Sequence, residues 1–222
     1  IQVRAKDAAG NVDPTPATYN WLVDAAPPDT TIPVVEPDPT NDPTGDFVFA
    51  SDDPNATFLC SLDGGPFVPC ESTYATPPLP DGQHTLQVQA VDPGGNADPT
   101  PATYTWTVDT TPPDTTITTF EPNPTNDPTG DFTFASNEAG ATFQCSVDGG
   151  AFGPCPATFS TASLADGPHT IQVRAVDPAG NVDPTPATYD WVVDSDTDDD
   201  GIDDAEETSL GTDPNDADSD DD

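Results

Sequence analysis

The sequence predicts an all-β protein made of small tandem sandwiches of short antiparallel strands, and three observations lead there. Proline and glycine number 29 and 16 of 222 residues, which favours turns over helices. A long segment repeats itself nearly unchanged. Within each copy, apolar and polar residues alternate with the period of two expected of a strand that buries one face.

The repeat sets the organisation. Offset by 85 residues, 26–109 aligns without gaps on 111–194, with 56 identities in 84 positions. Copies that similar and of one length imply tandem copies of one small domain. The period is too long for a solenoid unit of roughly 20–50 residues and suits a sandwich that folds by itself. The expected divisions are a terminal hairpin of a truncated repeat at 1–24, repeats at 25–109 and 110–194, and a distinct segment at 195–222.

In the first full copy, a short first strand is expected near Thr31–Val35, followed by Asp46–Ser51, Ala56–Leu62, an edge strand near Thr73–Thr76, then His84–Asp92 and Ala102–Asp109. Phe47 and Phe49, then Phe58, Cys60 and Leu62, then Leu86, Val88 and Ala90, then Tyr104, Trp106 and Val108 should face one core, with Gln87 and Gln89 toward water. Turn signals divide these runs: "NDPTG" at 41–45, "DGG" at 63–65, "PDG" at 80–82 and "DPGGN" at 92–96. The total is about seven strands, the count of an immunoglobulin-like sandwich.

The four cysteines recur as "FLCSLDGGPFVPC" (58–70) and "FQCSVDGGAFGPC" (143–155). A turn centred on Gly65 places Cys60 opposite Cys70, and by the same offset Cys145 opposite Cys155, where cross-strand disulfides can form. Closing so short a loop contributes about 3 kcal/mol in the chain-entropy picture. A zinc site is the weaker reading, since each pair supplies two ligands with no histidine beside them. Disulfides imply an exported, oxidising location.

The string "PPDTTI…CSxDGGxFxPC…LxDGxHTxQVxAxDxxGNxDPTPATYxWxVD" resembles the tandem bacterial Ig-like repeats of large secreted and cell-surface proteins, over residues 1–194. The resemblance implies export, a β-sandwich and a spacer or adhesive role.

Charge separates the last segment from the rest. The chain carries 41 acidic residues against three basic ones, Arg4, Lys6 and Arg174, for a formal charge of −38. That balance repels nucleic acid and anionic lipid and favours cations as partners. Residues 195–222 hold 14 acidic side chains in 28 positions. Numbered from Asp196, acidic oxygens fall at positions 1, 3, 5, 9 and 12 (Asp196, Asp198, Asp200, Asp204 and Glu207), with Gly201 at position 6 and the Ile202 carbonyl at position 7. That is the ligand schedule of a twelve-residue calcium loop. An EF-hand needs a long helix on each side, and here a strand end precedes the loop while a turn-rich stretch follows.

The string "DTDDDGIDDAEETSLGTDPNDADSDDD" resembles instead the thrombospondin type 3 repeats of bacterial surface proteins, which implies Asp-rich turns wound around Ca²⁺ with little regular structure. On that resemblance Asp213, Asp216 and Asp218 continue the ligand pattern, and 218–222 begins a next loop. A solvated acidic tail is the bland alternative.

Resemblance to giant adhesins, whose Ig-like repeats bind calcium at their junctions, adds Asp7, Asp92 and Asp177 of the "DxxGN" loops and Asp24, Asp109 and Asp194 of the linkers as candidates. Against this stands the expectation that these carboxylates, with Asp98 and Asp183 nearby, cap turns. His84 and His169 begin strands after "DGx" turns, a structural position. Asn55-Ala56-Thr57 matches a glycosylation acceptor, a short pattern. The Tyr-x-Trp pairs alternate as core residues before they could serve sugars.

No catalytic constellation is present in the sequence, and no apolar run approaches the roughly 18 residues of a spanning helix. The reading is an extracellular or cell-surface structural and adhesive repeat region, stiffened by Ca²⁺ and disulfides. Its partners are calcium and neighbouring repeats; the unpaired apolar face of residues 1–24 is either the cut edge of a longer array or, in the sharper reading, a docking face for a second chain of a homo-oligomeric fibre. A spacer or carbohydrate-binding module of a secreted enzyme is the alternative.

Overall fold

The computed structural model describes residues 1–196, 198, 202 and 204–215. Strands β1 (Gln2–Val3) and β2 (Ala17–Thr18) form a short hairpin. The first full repeat contains β3 (Thr30–Val34), β4 (Asp46–Ser51), β5 (Thr57–Leu62), β6 (Val68–Cys70), β7 (Thr73–Ala75), β8 (Gly82–Val91) and β9 (Ala102–Val108). The second contains β10 (Thr115–Thr119), β11 (Asp131–Ser136), β12 (Thr142–Val147), β13 (Gly153–Cys155), β14 (Thr158–Ser160), β15 (Gly167–Val176) and β16 (Ala187–Val193). One helix, α1 (Asp204–Leu210), follows.

Each repeat is a seven-stranded sandwich, with sheet orders β3-β4-β7 and β6-β5-β8-β9 in the first and β10-β11-β14 and β13-β12-β15-β16 in the second. The all-β tandem sandwich is therefore the fold. Its fourth strand pairs with the third, whereas an immunoglobulin constant-type domain puts the fourth beside the fifth.

Contacts divide the chain into two compact units, residues 1–36, 45–76 and 84–105, and residues 37–44, 77–83 and 106–222. The second unit thus contains the whole second repeat, the 37–44 and 77–83 stretches and the end of β9 from the first, and the described part of the acidic segment.

Alternation builds the cores as expected. Phe132, Phe143, Ile171, Val173, Trp191 and Val193 are buried together, with the Phe132 and Trp191 rings edge to face at 5.1 Å. In the first repeat Phe47, Phe49, Phe58, Cys60, Leu86, Val88 and Ala90 are buried, and so are Trp106 and Val108. Leu62 and Tyr104 are half-buried instead, and the Tyr104 hydroxyl donates to the Glu36 carbonyl at 2.6 Å. Gln87 and Gln89 are half-buried too, and Gln89 Nε2 donates to the Asp98 carbonyl at 2.6 Å.

Both disulfides form, Cys60–Cys70 and Cys145–Cys155, each with its Cα atoms 5.8 Å apart. The register corrects the expected one. Cys60 pairs with Val68 and Cys70 with Phe58, so the cystine runs diagonally across β5 and β6. The cause is the turn. Asp63 and Gly64 both adopt positive φ, 50° and 71°, and Gly65 N bonds to Leu62 O at 2.9 Å, the turn Asp-Gly favours, and with one extra residue on the β6 side the strands pair about Gly64. The turn centre therefore lies one residue before the expected one.

The 1–24 hairpin presents its apolar residues to solvent: Ile1, Val3, Tyr19, Trp21 and Val23 are all at least 60 % exposed, whereas Trp106 and Trp191 are buried. The acidic segment, expected to have little regular structure, contains α1, whose first turn carries acidic residues that complement the helix dipole.

Candidate metal centre

The chain leaves the second repeat at Val193 and turns back onto it. Ser195 Oγ bonds to both carboxylate oxygens of Asp166 at 2.9 Å, Asp196 N to Asp194 Oδ1 at 3.4 Å, and Asp204 N to the Ser195 carbonyl at 2.8 Å. Asn126 Nδ2 donates to Asp204 Oδ2 at 3.2 Å. Within this turn the carboxylate oxygens of Asp198 and Glu207 and Oδ1 of Asp196 are buried. Glu207, on α1, is 0 % exposed, and its carbonyl accepts Gly211 N at 2.8 Å and Thr212 N at 3.1 Å, which closes the helix. Ile202 and Asp204 are half-buried, whereas Asp213 is exposed and its Oδ1 accepts Asn215 N at 3.2 Å. The candidates Asp200, Asp216 and Asp218, and the turn glycine Gly201, lie outside the described residues.

Electrostatics make these burials unusual. From residue 7 onward the sequence holds a single Lys or Arg, Arg174. Its Nε donates to Gln144 Oε1 at 2.9 Å and its guanidinium lies 4.2 Å from the centre of the Phe152 ring. Buried carboxylates normally pair with a cation or coordinate a metal.

A second acidic cluster lies where the linker after β9 meets the β11–β12 and β15–β16 loops of the second repeat. One carboxylate oxygen each from Asp109, Glu138 and Asp177 fall within 4.8 Å of one another, with Asp177 buried. Glu138, in the β11–β12 turn, titrates above the ordinary carboxyl value, because of burial and then the charges of Asp109 and Asp177. Asp177 also caps its turn: Oδ1 accepts Asn181 N at 2.8 Å and Oδ2 accepts Asn181 Nδ2 at 2.7 Å, while that same Nδ2 bonds to the Asp109 carbonyl at 2.7 Å. Asp92 and Asp7 are capped alike by Asn96 and Asn11. The Asn96 side chain holds Asp92 below the ordinary carboxylate range, and Asn96 Nδ2 bonds to the Asp24 carbonyl at 3.1 Å. Asp183 Oδ1 caps Thr185 N at 2.8 Å, as Asp98 Oδ1 caps Thr100 N. Asp194, the corresponding residue after the second repeat, accepts Asp196 N instead.

Glu138 escaped the sequence reading because nothing near it in the chain marks it. The available signal was the 85-residue offset, which puts Asp53 at the matching position of the first repeat. A third trio, Glu121, Asp127 and Asp131, is structural: Glu121 is buried and Oε1 accepts Asp131 N at 2.8 Å, as Glu36 Oε1 accepts Asp46 N in the first repeat.

The chain is similar to several known structures, each at low identity and a TM-score below 0.5. Fibronectin(III)-like modules of CbhA from Clostridium thermocellum match at 16 % identity with a TM-score of 0.49, over 74 % of this chain and 94 % of theirs. The FN1–FN3 domains of chicken CNTN1 match at 15 % identity and TM-score 0.44, over 86 % and 73 %. A structure of a 1.5-MDa bacterial ice-binding adhesin matches at 14 % identity and TM-score 0.43, over 78 % and 68 %. No family model and no curated protein matches the chain. What the chain's own strand order shows is two tandem all-β sandwiches.

His84 and His169 occupy the structural positions expected. His169 Nδ1 contacts Asp148 Oδ2 at 2.8 Å and Nε2 contacts the Ala165 carbonyl at 2.7 Å; His84 Nδ1 contacts Asp63 Oδ2 at 2.8 Å. With acceptors at both ring nitrogens, His169 is raised above its ordinary pKa by the Ala165 carbonyl and then Asp148.

Proposed function

We propose that the chain is an extracellular structural repeat region of a bacterial surface or fibre-forming protein, stiffened by disulfides and by calcium. The disulfides suit the oxidising space outside the cytoplasm. The observation that carries the calcium reading is Glu207, a carboxylate 0 % exposed in a segment without Lys or Arg, together with the burial of both carboxylate oxygens of Asp198 and of Asp196 Oδ1 in the same segment. Calcium accepts six to eight oxygen ligands and binds through carboxylates and peptide carbonyls. Asp196, Asp198, Asp200, Asp204 and Glu207, with the Ile202 carbonyl, would hold the ion, and Asp213, Asp216 and Asp218 extend the pattern as in thrombospondin type 3 repeats. Its charge would neutralise carboxylates that otherwise repel one another. A second ion at Asp109, Glu138 and Asp177 would act at the linker. On this reading the chain performs no reaction.

Limited proteolysis of the full chain with calcium and with a chelator is the test. Cleavage within 195–215 is expected to be slow with calcium and fast with chelator, and Glu207→Gln should abolish the difference. Equal cleavage in both conditions overturns the reading. At a hundredfold excess over Kd, calcium adds about 2.7 kcal/mol to whatever it orders.

One observation favours the carbohydrate-binding alternative. Phe120 is 56 % exposed and stacks on Tyr189 with ring centres 4.6 Å apart, and the first repeat has Val35 at the matching position. Binding on a glycan array that Phe120→Ala removes would select it.

A further inference from the structure

The two repeats use one set of groups at the end where the chain leaves them. In the first, Asp81 Oδ1 accepts Thr110 N at 3.0 Å and Thr110 Oγ1 at 2.7 Å, while Oδ2 accepts Thr111 Oγ1 at 2.8 Å. In the second, Asp166 stands 85 residues on and takes Ser195. Thr40 and Thr125 bond the outgoing strand in the same way: Thr40 N to Thr107 O at 3.0 Å and Asp109 N to Thr40 O at 2.9 Å, Thr125 N to Val192 O at 3.0 Å and Asp194 N to Thr125 O at 2.8 Å. An asparagine follows each threonine and faces whatever comes next. Asn41 Nδ2 lies 3.6 Å from where a Cβ on Gly180 would stand, and Asn126 Nδ2 donates to Asp204 Oδ2 at 3.2 Å. The acidic segment therefore sits on groups that the first repeat turns toward a following sandwich.

We infer that Asn126 is a positioning residue for the calcium loop: the second sandwich supplies an amide that orients the Asp204 carboxylate, while Asp166 fixes the loop's entry at Ser195. This rests on the calcium reading above. Partners that hold a ligand carboxylate from outside the metal's own shell cost roughly 10- to 100-fold in metal affinity when removed. Asn126 is suited to the task because it can donate to a carboxylate without adding charge, in a region where a further carboxylate would repel. The loop's affinity is then a property of loop and sandwich together, and the segment alone binds calcium more weakly than the chain does.

The experiment is a calcium titration of the full chain, read as protection of 195–215 from protease with cleavage sites mapped by mass spectrometry. Asn126→Ala should raise the calcium concentration for half-protection about tenfold. Asn41→Ala, which removes the same amide from the first repeat, should leave it unchanged, and in chelator the melting temperature of Asn126→Ala should match that of the parent. Equal midpoints for the parent and Asn126→Ala overturn the inference while leaving the calcium reading intact. An equal shift with Asn41→Ala also overturns it. A parent chain that calcium never protects overturns both.

Discussion

At the scale of single residues, small side chains at the sandwich seams carry unusual weight. Thr115 is buried and its Oγ1 accepts the Ala175 N–H at 2.7 Å, a bond from β10 to β15 that joins the two sheets. Thr115→Val keeps the shape and removes the acceptor, leaving a buried N–H unsatisfied. A loss of about 1–3 kcal/mol is expected in denaturant unfolding of the second repeat. Gly130 is constrained by space: a Cβ there would lie 2.8 Å from both Phe132 Cε2 and Trp191 Cζ2. Gly130→Ala should therefore cost about 1–3 kcal/mol by the same measurement, through displacement of the core rings. Neither role can be read from the sequence, where Thr115 sits in a threonine-rich run and Gly130 closes a turn motif. Glu138 was hidden for a related reason. Its partners Asp109 and Asp177 come from loops 29 and 39 residues away, and folding alone brings them together.

At the scale of elements, strands were legible and their register was not. Period-two alternation placed Asp46–Ser51 and its copy to the residue, because burial of one face leaves little freedom in a strand. The cystine register missed by a step because it depends on the backbone of Asp63 and Asp148, both at positive φ. These aspartates do more than turn the chain. Asp148 Oδ1 accepts Thr170 N at 2.9 Å and Oδ2 meets His169, tying the hairpin tip to β15. The charged groups nearby are acidic: besides Asp148, Asp190 accepts the Thr170 hydroxyl at 2.6 Å.

His169 is raised in the folded state, above the value of about 6.5 of the unfolded chain. Its stabilising contribution is therefore complete below that pH and is lost as pH rises through the higher folded value. Guanidinium unfolding of the second repeat should show stability falling across this window on the alkaline side, and His169→Gln should flatten the fall. The helix α1 was likewise not legible, since seven residues between acidic turns carry too little periodicity to mark it. Spacing alone singled out Glu207, which lies on it, as a candidate ligand.

At the scale of the whole molecule, charge dominates. With 41 acidic residues and three basic ones, folding concentrates like charges, and screening salt should stabilise the chain apart from any specific ion. Raising sodium chloride in the presence of chelator is expected to raise both melting transitions, with magnesium or calcium effective at far lower concentration if the carboxylate clusters bind them. Repetition, the most legible feature, brings its own hazard, because neighbouring domains of near-identical sequence can exchange strands and form misassembled states. The cystines bear on this directly. Each joins cysteines that are consecutive in the chain and ten residues apart. A polypeptide threaded into an oxidising space, N-terminus first, exposes both partners of one bond before either partner of the next. An oxidant that joins thiols in order of emergence produces the native connectivity without reshuffling, and adding further copies leaves that bookkeeping unchanged.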